Sequence, residues 1–146
     1  MPSTPDALVR EWFDTVWNQG REDAIDRLMA PNAEVHGLSG PKGAPIRGAE
    51  AFKPFFRMFR RALSDLQIDV ARTVVQGDLV VAHCRVFGRH AGDSLGGPAT
   101  NNVVEFWGMA LLRVEHDRIV EGWNCFDFLS MYQQLGWVKN PPIPVV

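Results

Sequence analysis

The sequence has 146 residues, of which 46% are hydrophobic and 22% charged, and its formal net charge is −2. This composition is typical of a globular protein with a core of its own, and no apolar run approaches the roughly 20 residues that a membrane-spanning helix needs. Basic residues cluster only at 53–61, which argues against a nucleic-acid partner, and the N-terminal residues lack a secretory signal, so we expect a cytoplasmic protein.

The first third of the chain carries helical signals. Thr4 and Pro5 are typical of a helix start and Gly20 of a helix end, so the sequence predicts a first helix at about 5–18. Its apolar residues recur at three- and four-residue spacing, which gives one wide buried stripe. The elements predicted next are a short helix at 21–29, a brief strand at 33–37, a Gly- and Pro-rich loop at 38–47 and a third helix at 49–63.

From Leu66 onward, apolar residues alternate with a period of two, which predicts strands. We place them at 66–76, 79–90, 100–115 and 118–126, followed by a short helix at 129–135. Helices followed by a curled antiparallel sheet predict an α+β fold, with one domain over residues 1–146. N-terminal helices packed on a strongly curved antiparallel sheet enclose a cone, and its interior is the natural place for a small-molecule ligand.

The second of these strands offers two polar candidates for catalysis, His83 and Arg85. They alternate with Ala82, Cys84 and Val86, and only one of the two sets can point into the cone. A histidine and an arginine two residues apart would give a pocket a titratable group and a fixed cation, so we favour them as inward-facing. The alternative, that both lie on the outer face of the sheet, stays open.

Asp127 follows the last strand and stands between Phe126 and Phe128. A carboxyl buried among these rings and Trp123 would be desolvated, and desolvation raises a carboxyl pKa toward the range that suits proton transfer. We therefore regard Asp127 as a candidate acid or base. The alternative is that Asp127 caps the helix that follows, and the two roles can coexist.

Other residues are candidates for the wall of the pocket. The third helix carries more aromatic surface than it needs to anchor itself to the core, so we expect Phe55, Phe56 and Phe59 to line the pocket. Candidates on other elements are Trp12, His36, Glu105, Trp107 and Trp123. The four histidines include no helical i,i+4 pair, no Cys-x-x-Cys motif is present and no Gly-rich phosphate loop precedes a helix, so we expect neither a metal nor a cofactor. The two cysteines, Cys84 and Cys125, are expected to be unpaired.

Two stretches resemble a known family: "GDLVVAHCRVFGRHAG" at 77–92 and "GGPATNNVVEFWGMALLRVEHDRIVEGWNCFDFLSMYQQLG" at 96–136. Their hairpin, Gly-Pro loop and closing Trp-x-x-x-Asp with Gln-Leu-Gly resemble the SnoaL-like polyketide cyclases of the nuclear-transport-factor-2-like superfamily. The resemblance implies a cone-shaped fold and an intramolecular aldol closure in which a pocket aspartate serves as acid and base. Asp127 is the position that fits this aspartate.

The sequence departs from two other chemistries of the superfamily. The Arg-x-Asp pattern of limonene-epoxide hydrolases is not reproduced, since His83 and Arg85 stand in that region. Ketosteroid-isomerase-like members carry a carboxylate just after the first strand, where this chain reads Val35-His36-Gly37. Both mechanisms are therefore disfavoured.

Two functions from different classes remain. The first is a small cofactor-independent enzyme of cyclase, isomerase or lyase type, in which Asp127 exchanges a proton with an apolar, carbonyl-bearing molecule and His83 or Arg85 stabilises negative charge. The second is a non-catalytic module that only binds a hydrophobic ligand or supports a dimer. The family usually pairs through the outer face of its sheet, and the long strands offer more apolar surface than the helices can cover, so we expect a homodimer.

Overall fold

Four helices surround one face of a sheet. The computed structural model describes residues 4–39 and 43–140. Helix α1 begins with the expected cap, because the Ala7 N–H donates to Thr4 Oγ1. It continues directly into a segment of wider, π-helical turns. The helical bounds are Pro5–Glu11 for α1, Trp12–Asn18 for the π-helical segment, Asp23–Leu28 for α2, Ala49–Ala62 for α3 and Phe128–Gln134 for α4.

Six strands form the sheet, in the order β2-β1-β6-β5-β4-β3. Neighbouring strands are antiparallel except for β1 and β6, which are parallel, so the predicted α+β cone is confirmed with a mixed rather than a purely antiparallel sheet. The strand bounds are Met29–His36 for β1, Ile46–Arg47 for β2, Leu63–Gln76 for β3, Leu79–His90 for β4, Val103–Glu115 for β5 and Arg118–Phe126 for β6.

The observed elements depart from the predicted ones in several places. The two-residue strand β2 lies within the loop predicted at 38–47, and β3 begins at Leu63 rather than Leu66. The first predicted helix is continuous, but its second half has π-helical hydrogen bonding, as in the bond from the Gln19 N–H to the Asp14 carbonyl. Strand β1 begins at Met29, four residues before the predicted strand, because Met29 already pairs with Ile119 of β6. Pro31 lies in the irregular stretch of that ladder, where its missing N–H costs no regular pairing.

The two faces of the sheet differ in character. The side against the helices, which we call the inner face, carries the apolar residues of each strand, while the outer face carries most of the polar ones. On β4, Ala82, Cys84 and Val86 are each at most 2% exposed and belong to the core. Helices α1, α2 and α3 add Val9, Ile25 and Phe52 among others to the same core. No helix among the described residues is both long and apolar enough to cross a membrane.

Candidate active site

A cavity of about 60 Å³ lies between the helices and the inner face of the sheet. The π-helical segment, α3, the first turn of α4 and every strand except β2 contribute to its wall. The lining side chains are aromatic or aliphatic with a single exception; they include Trp12, Phe13, Trp17, Phe52, Phe55, Phe59, Val86, Phe106, Leu112, Asn124, Phe126 and Phe128. The interior therefore suits an apolar ligand.

Aromatic rings form most of this wall. The rings of Phe55 and Phe59 stack with their centroids 5.9 Å apart, and Phe59 meets Phe128 of α4 edge-on at 6.1 Å. Trp12, Phe55 and Phe59, which the sequence analysis assigns to the pocket, all line the cavity. Phe56 does not line it, so its assignment to the pocket is corrected; its ring packs against Trp17 with the centroids 5.3 Å apart.

Asn124 is the only lining residue among those described with an amide, hydroxyl or charged side chain. Its Nδ2 donates to the His36 carbonyl at 3.1 Å, and its Oδ1 has no hydrogen-bond partner in the described chain. The backbone of Asn124 is fixed as well. Gly37, at φ 88°, packs so closely that a Cβ there would lie 2.1 Å from the Asn124 carbonyl oxygen. The site thus holds one preorganised acceptor, Oδ1, for a ligand O–H or N–H.

Sequence reasoning missed Asn124. It stands between Trp123 and Cys125, and both of these conspicuous residues point to the outer face. The signal that could have identified it is its shared parity with Phe126, once the inward-facing set of β6 is known. Gly108 of β5 completes this corner, because its missing side chain makes room for the Phe126 ring, which would lie 2.2 Å from a Cβ at that position.

A second hollow, of about 680 Å³, adjoins the cavity. It shares Leu38, Phe55, Phe59 and Phe128 with the cavity and adds Met58, Leu95, Met131 and Tyr132. We call it the mouth hollow. Small-molecule pockets commonly measure about 300–1,000 Å³, so the cavity alone is too small for such a ligand, whereas the mouth hollow is large enough.

The structure corrects the favoured orientation of His83 and Arg85. Both lie on the outer face, the alternative that the alternation left open, because the apolar set of β4 fills the core. Arg85 bonds to Asp69 and Glu105 at 3.2 Å each. His83 lies against the Trp107 ring at 4.8 Å and contacts Arg72 through Nδ1. The Arg85 guanidinium would cost several kcal/mol inside the cone, whereas water and its ion partners solvate it outside.

Four proposed pocket residues also lie on the outer face. Glu105 and Trp107 share it with Arg85 and His83, since β4 and β5 pair directly at these positions. His36 stacks on Trp123 with ring centroids 5.5 Å apart and an interplanar angle of 15°. None of the four lines the cavity, so the structure corrects their assignment to the pocket. On β5, the inward set is Val104, Phe106, Gly108, Ala110 and Leu112.

Asp127 occupies the N-cap of α4. Its Oδ1 accepts a hydrogen bond from the Ser130 N–H at 3.0 Å, and the residue is exposed. The expected desolvation among aromatic rings is therefore absent, and the capping role that the sequence also allowed is present. Its two neighbours, Phe126 and Phe128, both line the cavity. Asp127 itself lines neither the cavity nor the mouth hollow, and its Oδ2 has no partner in the described chain.

Burial alters two titratable groups on the inner face. It raises the pKa of the Cys84 thiol to about 12, which makes this cysteine unreactive as a thiolate at neutral pH. It lowers the pKa of His90, whose side chain is 0% exposed. The Thr100 N–H donates to His90 Nδ1 at 3.0 Å, so the neutral ring carries its proton on Nε2. Neither group lines the cavity.

Comparison with known proteins agrees with this architecture. Residues 7–135 match the family model for SnoaL-like polyketide cyclases. The chain is 26% identical over 151 residues to aklanonic acid methyl ester cyclase DauD of Streptomyces sp. (strain C5), which covers 94% of this chain and 89% of DauD.

Two solved structures show the same fold. Wild-type IdmH from Streptomyces antibioticus superimposes with a TM-score of 0.80 at 29% identity, covering 92% of this chain and 99% of IdmH. A protein from Catenulispora acidiphila with a ketosteroid isomerase-like fold gives a TM-score of 0.75 at 17% identity, covering 95% of this chain and 100% of its own. The second likeness concerns the fold alone.

Proposed function

The chain belongs to the SnoaL-like polyketide cyclase family, and we propose that it is a cofactor-independent, cyclase-type enzyme acting on an apolar, carbonyl-bearing molecule. The observation that carries the proposal is the aromatic cavity with Asn124 as its one polar side chain among the described residues. Such a site binds a fused-ring molecule or a folded chain by contact with the faces of the aromatic side chains, and it orients the ligand through one hydrogen bond.

The proposed reaction is an intramolecular aldol closure. An enol carbon of the substrate attacks a carbonyl carbon of the same molecule, a C–C bond forms, and the proton lost from the nucleophilic side ends on the new hydroxyl group, so no cofactor is consumed. Holding the two carbons within reach is itself a large effect, since effective molarities for well-oriented intramolecular reactions reach about 10⁵–10⁸ M. We assign this folding of the substrate to the aromatic wall and Asn124.

We propose Asp127 as the group that exchanges the proton. No titratable side chain among the described residues lines the cavity, and Asp127 is the carboxylate next in sequence to two lining phenylalanines. Only its Oδ1 is engaged by the helix cap, so Oδ2 can exchange a proton with a substrate that reaches past Phe128. General acid–base catalysis contributes about 10²–10⁴-fold to a rate.

A non-catalytic binding module is the second candidate. The observation that favours it is a lining whose described residues include no titratable side chain, so the cavity can hold a ligand but offers no acid or base inside. An assay separates the two functions: the protein is incubated with aklanonic acid methyl ester, the substrate in the name of DauD, and ring closure is followed by chromatography. Product formation that depends on Asn124 supports the enzyme, whereas saturable binding without product supports the binding module.

We also propose that the protein is a homodimer, as the sequence leads us to expect for a cytoplasmic member of this fold. Two large residues of the central outer face are unusually exposed, Trp107 at 43% and Met109 at 49%. Leu111 follows them on the same face of β5 and pairs with Trp123 of β6, so apolar side chains adjoin along this face. Sedimentation of the 16.4 kDa chain should give twice that mass, and Met109→Lys should shift the protein toward monomer. A monomeric wild type at micromolar concentration would refute the dimer.

A further inference from the structure

A cluster of two carboxylates and a histidine lies on the outer face, at the junction of β1 and β6. Glu34 and His36 are two residues apart on β1 and therefore share a face. The parallel register places Glu34 opposite Glu121 and His36 opposite Trp123. The cluster, Glu34, His36 and Glu121, is thus built on two paired strands rather than on a loop. It lies on the opposite side of the sheet from the cavity.

The donor atoms of the cluster converge. His36 Nε2 lies 2.8 Å from Glu121 Oε2 and 3.8 Å from Glu34 Oε2. All three donor atoms are within 4.8 Å of one another. Two ligands bound to one tetrahedral ion at about 2.0–2.2 Å are roughly 3.4 Å apart, so small side-chain adjustments bring the three donors onto a common ion. The stacked Trp123 ring already fixes the plane of the imidazole.

The two carboxylates of the cluster are only partly neutralised by the basic side chains described around them. Two carboxylates that face each other across a strand pair repel. Arg47 meets Glu34 through Oε1, at 3.3 Å, and leaves Oε2 turned toward His36. Arg113 pairs with Glu121 in the ladder, but its guanidinium donates to Asp78 at 3.0 Å. The His36 imidazole lies between the two carboxylates, and a metal ion bound by all three groups would offset their negative charge.

We propose that Glu34, His36 and Glu121 form a binding site for a divalent transition-metal ion such as Zn²⁺. One imidazole nitrogen and two carboxylate oxygens are ligands that Zn²⁺ accepts, and the half-exposed position leaves a fourth place for water. The three ligands stand at positions 34, 36 and 121, far apart in the chain, which explains why no sequence motif reveals the site. Bound metal would hold β1 and β6 together at the one parallel junction of the sheet.

The test is calorimetric titration of the purified, EDTA-treated protein with ZnCl₂ at pH 7.5, together with titration by CoCl₂. We expect one Zn²⁺ per chain and a rise in Tm with added metal, because a ligand that binds only the folded state stabilises it. Cobalt should also quench part of the tryptophan fluorescence, since Trp123 stacks directly on the ligating ring.

A matched control is available on the same face. His83 also packs against a tryptophan, Trp107, with the rings tilted at 36°, but it has no carboxylate partner among the described residues. We expect His83→Gln to bind Zn²⁺ as the wild type does, and both His36→Gln and Glu121→Gln to bind at least about tenfold more weakly. Melting without metal checks that each variant is folded. A wild type that binds no Zn²⁺ at millimolar concentration, or a His36→Gln variant that binds it undiminished, would overturn the proposal.

Discussion

The inner and outer faces of this one sheet, built from the same strands, have opposite chemistry. On β4 the inner set of Ala82, Cys84 and Val86 is closed to water, while the outer set of His83 and Arg85 makes ion pairs and ring contacts at the surface. The cost of desolvation explains why the catalytic candidates His83 and Arg85 lie outside the cavity. What remains inside is a binding surface with one amide.

The largest effect is expected from placing the same charge on each face in turn. Cys84→Asp places a carboxylate among apolar residues of the core. Full burial can raise the pKa of a carboxyl by about 3–5, and this difference corresponds to a loss of about 4–7 kcal/mol in the free energy of unfolding. His83→Asp puts the carboxylate beside Arg72 on the outer face and should cost less than about 1 kcal/mol. Urea unfolding of both variants measures the difference; equal losses would contradict the assignment of faces.

Within the aromatic wall, core and lining residues should differ. Phe56 is buried against Trp17, so Phe56→Ala should cost roughly 3–5 kcal/mol. Phe55 borders the cavity and the mouth hollow, and a residue that already faces free space leaves a smaller new void when it is truncated. Phe55→Ala should therefore cost clearly less in the same unfolding experiment. A full core-sized loss at both positions would show that Phe55 is ordinary core.

Acid should destabilise the protein through His90. Burial lowers the pKa of this histidine, so the folded protein keeps it neutral while the unfolded chain takes up a proton near pH 6.5. The resulting stability is present above that pH and is lost as the pH falls toward the folded-state pKa. His90→Asn retains an acceptor for the Thr100 N–H without the titration. Its Tm should fall less than that of the wild type between pH 7.5 and 5.5; identical pH profiles would rule out His90 as the cause.

The smallest effect is expected on the outer face. Arg85 makes two ion pairs there, to Asp69 and Glu105, but its side chain is 38% exposed. Exposed pairs contribute about 0.2–1 kcal/mol, so Arg85→Ala should lower stability by less than about 1 kcal/mol, and this loss should shrink further in 1 M salt. Thermal melts at low and high salt provide the measurement. A loss above about 3 kcal/mol would mean that Arg85 is far less solvated than its exposure indicates.

Much of the fold could be predicted from the sequence because periodicity is a local property. The change from a helical period to a period of two after α3 places every long strand to within a few residues, and Thr4 and Asp127 both cap the helices that follow them. The parallel pairing of β1 with β6 could not be found this way, since it joins residues about 90 positions apart.

The site was harder to predict. Alternation divides the residues of a strand into two sets but does not tell which set faces inward. The inward orientation predicted for His83 and Arg85 rested on their chemistry and neglected the free-energy cost of burying them. Asn124 was missed for the same reason. Trp123 beside it is a plausible pocket residue by its chemistry, but it is the opposite set of β6, which contains Asn124, that faces inward. The aromatic residues that α3 contributes to the lining could be predicted from the amphipathic pattern of that helix alone, without knowing how the sheet is arranged.

The most direct test of the proposed chemistry is the turnover of aklanonic acid methyl ester by Asp127→Asn and by Asp127→Glu, compared with the wild type. Asparagine caps helices about as well as aspartate, so the Tm of Asp127→Asn should stay within about a degree or two while ring closure falls by about 10²–10⁴-fold. Asp127→Glu keeps a carboxyl group and should recover part of the rate. Full turnover by Asp127→Asn, with its fold intact, would contradict the assignment of Asp127 as the proton-exchanging group.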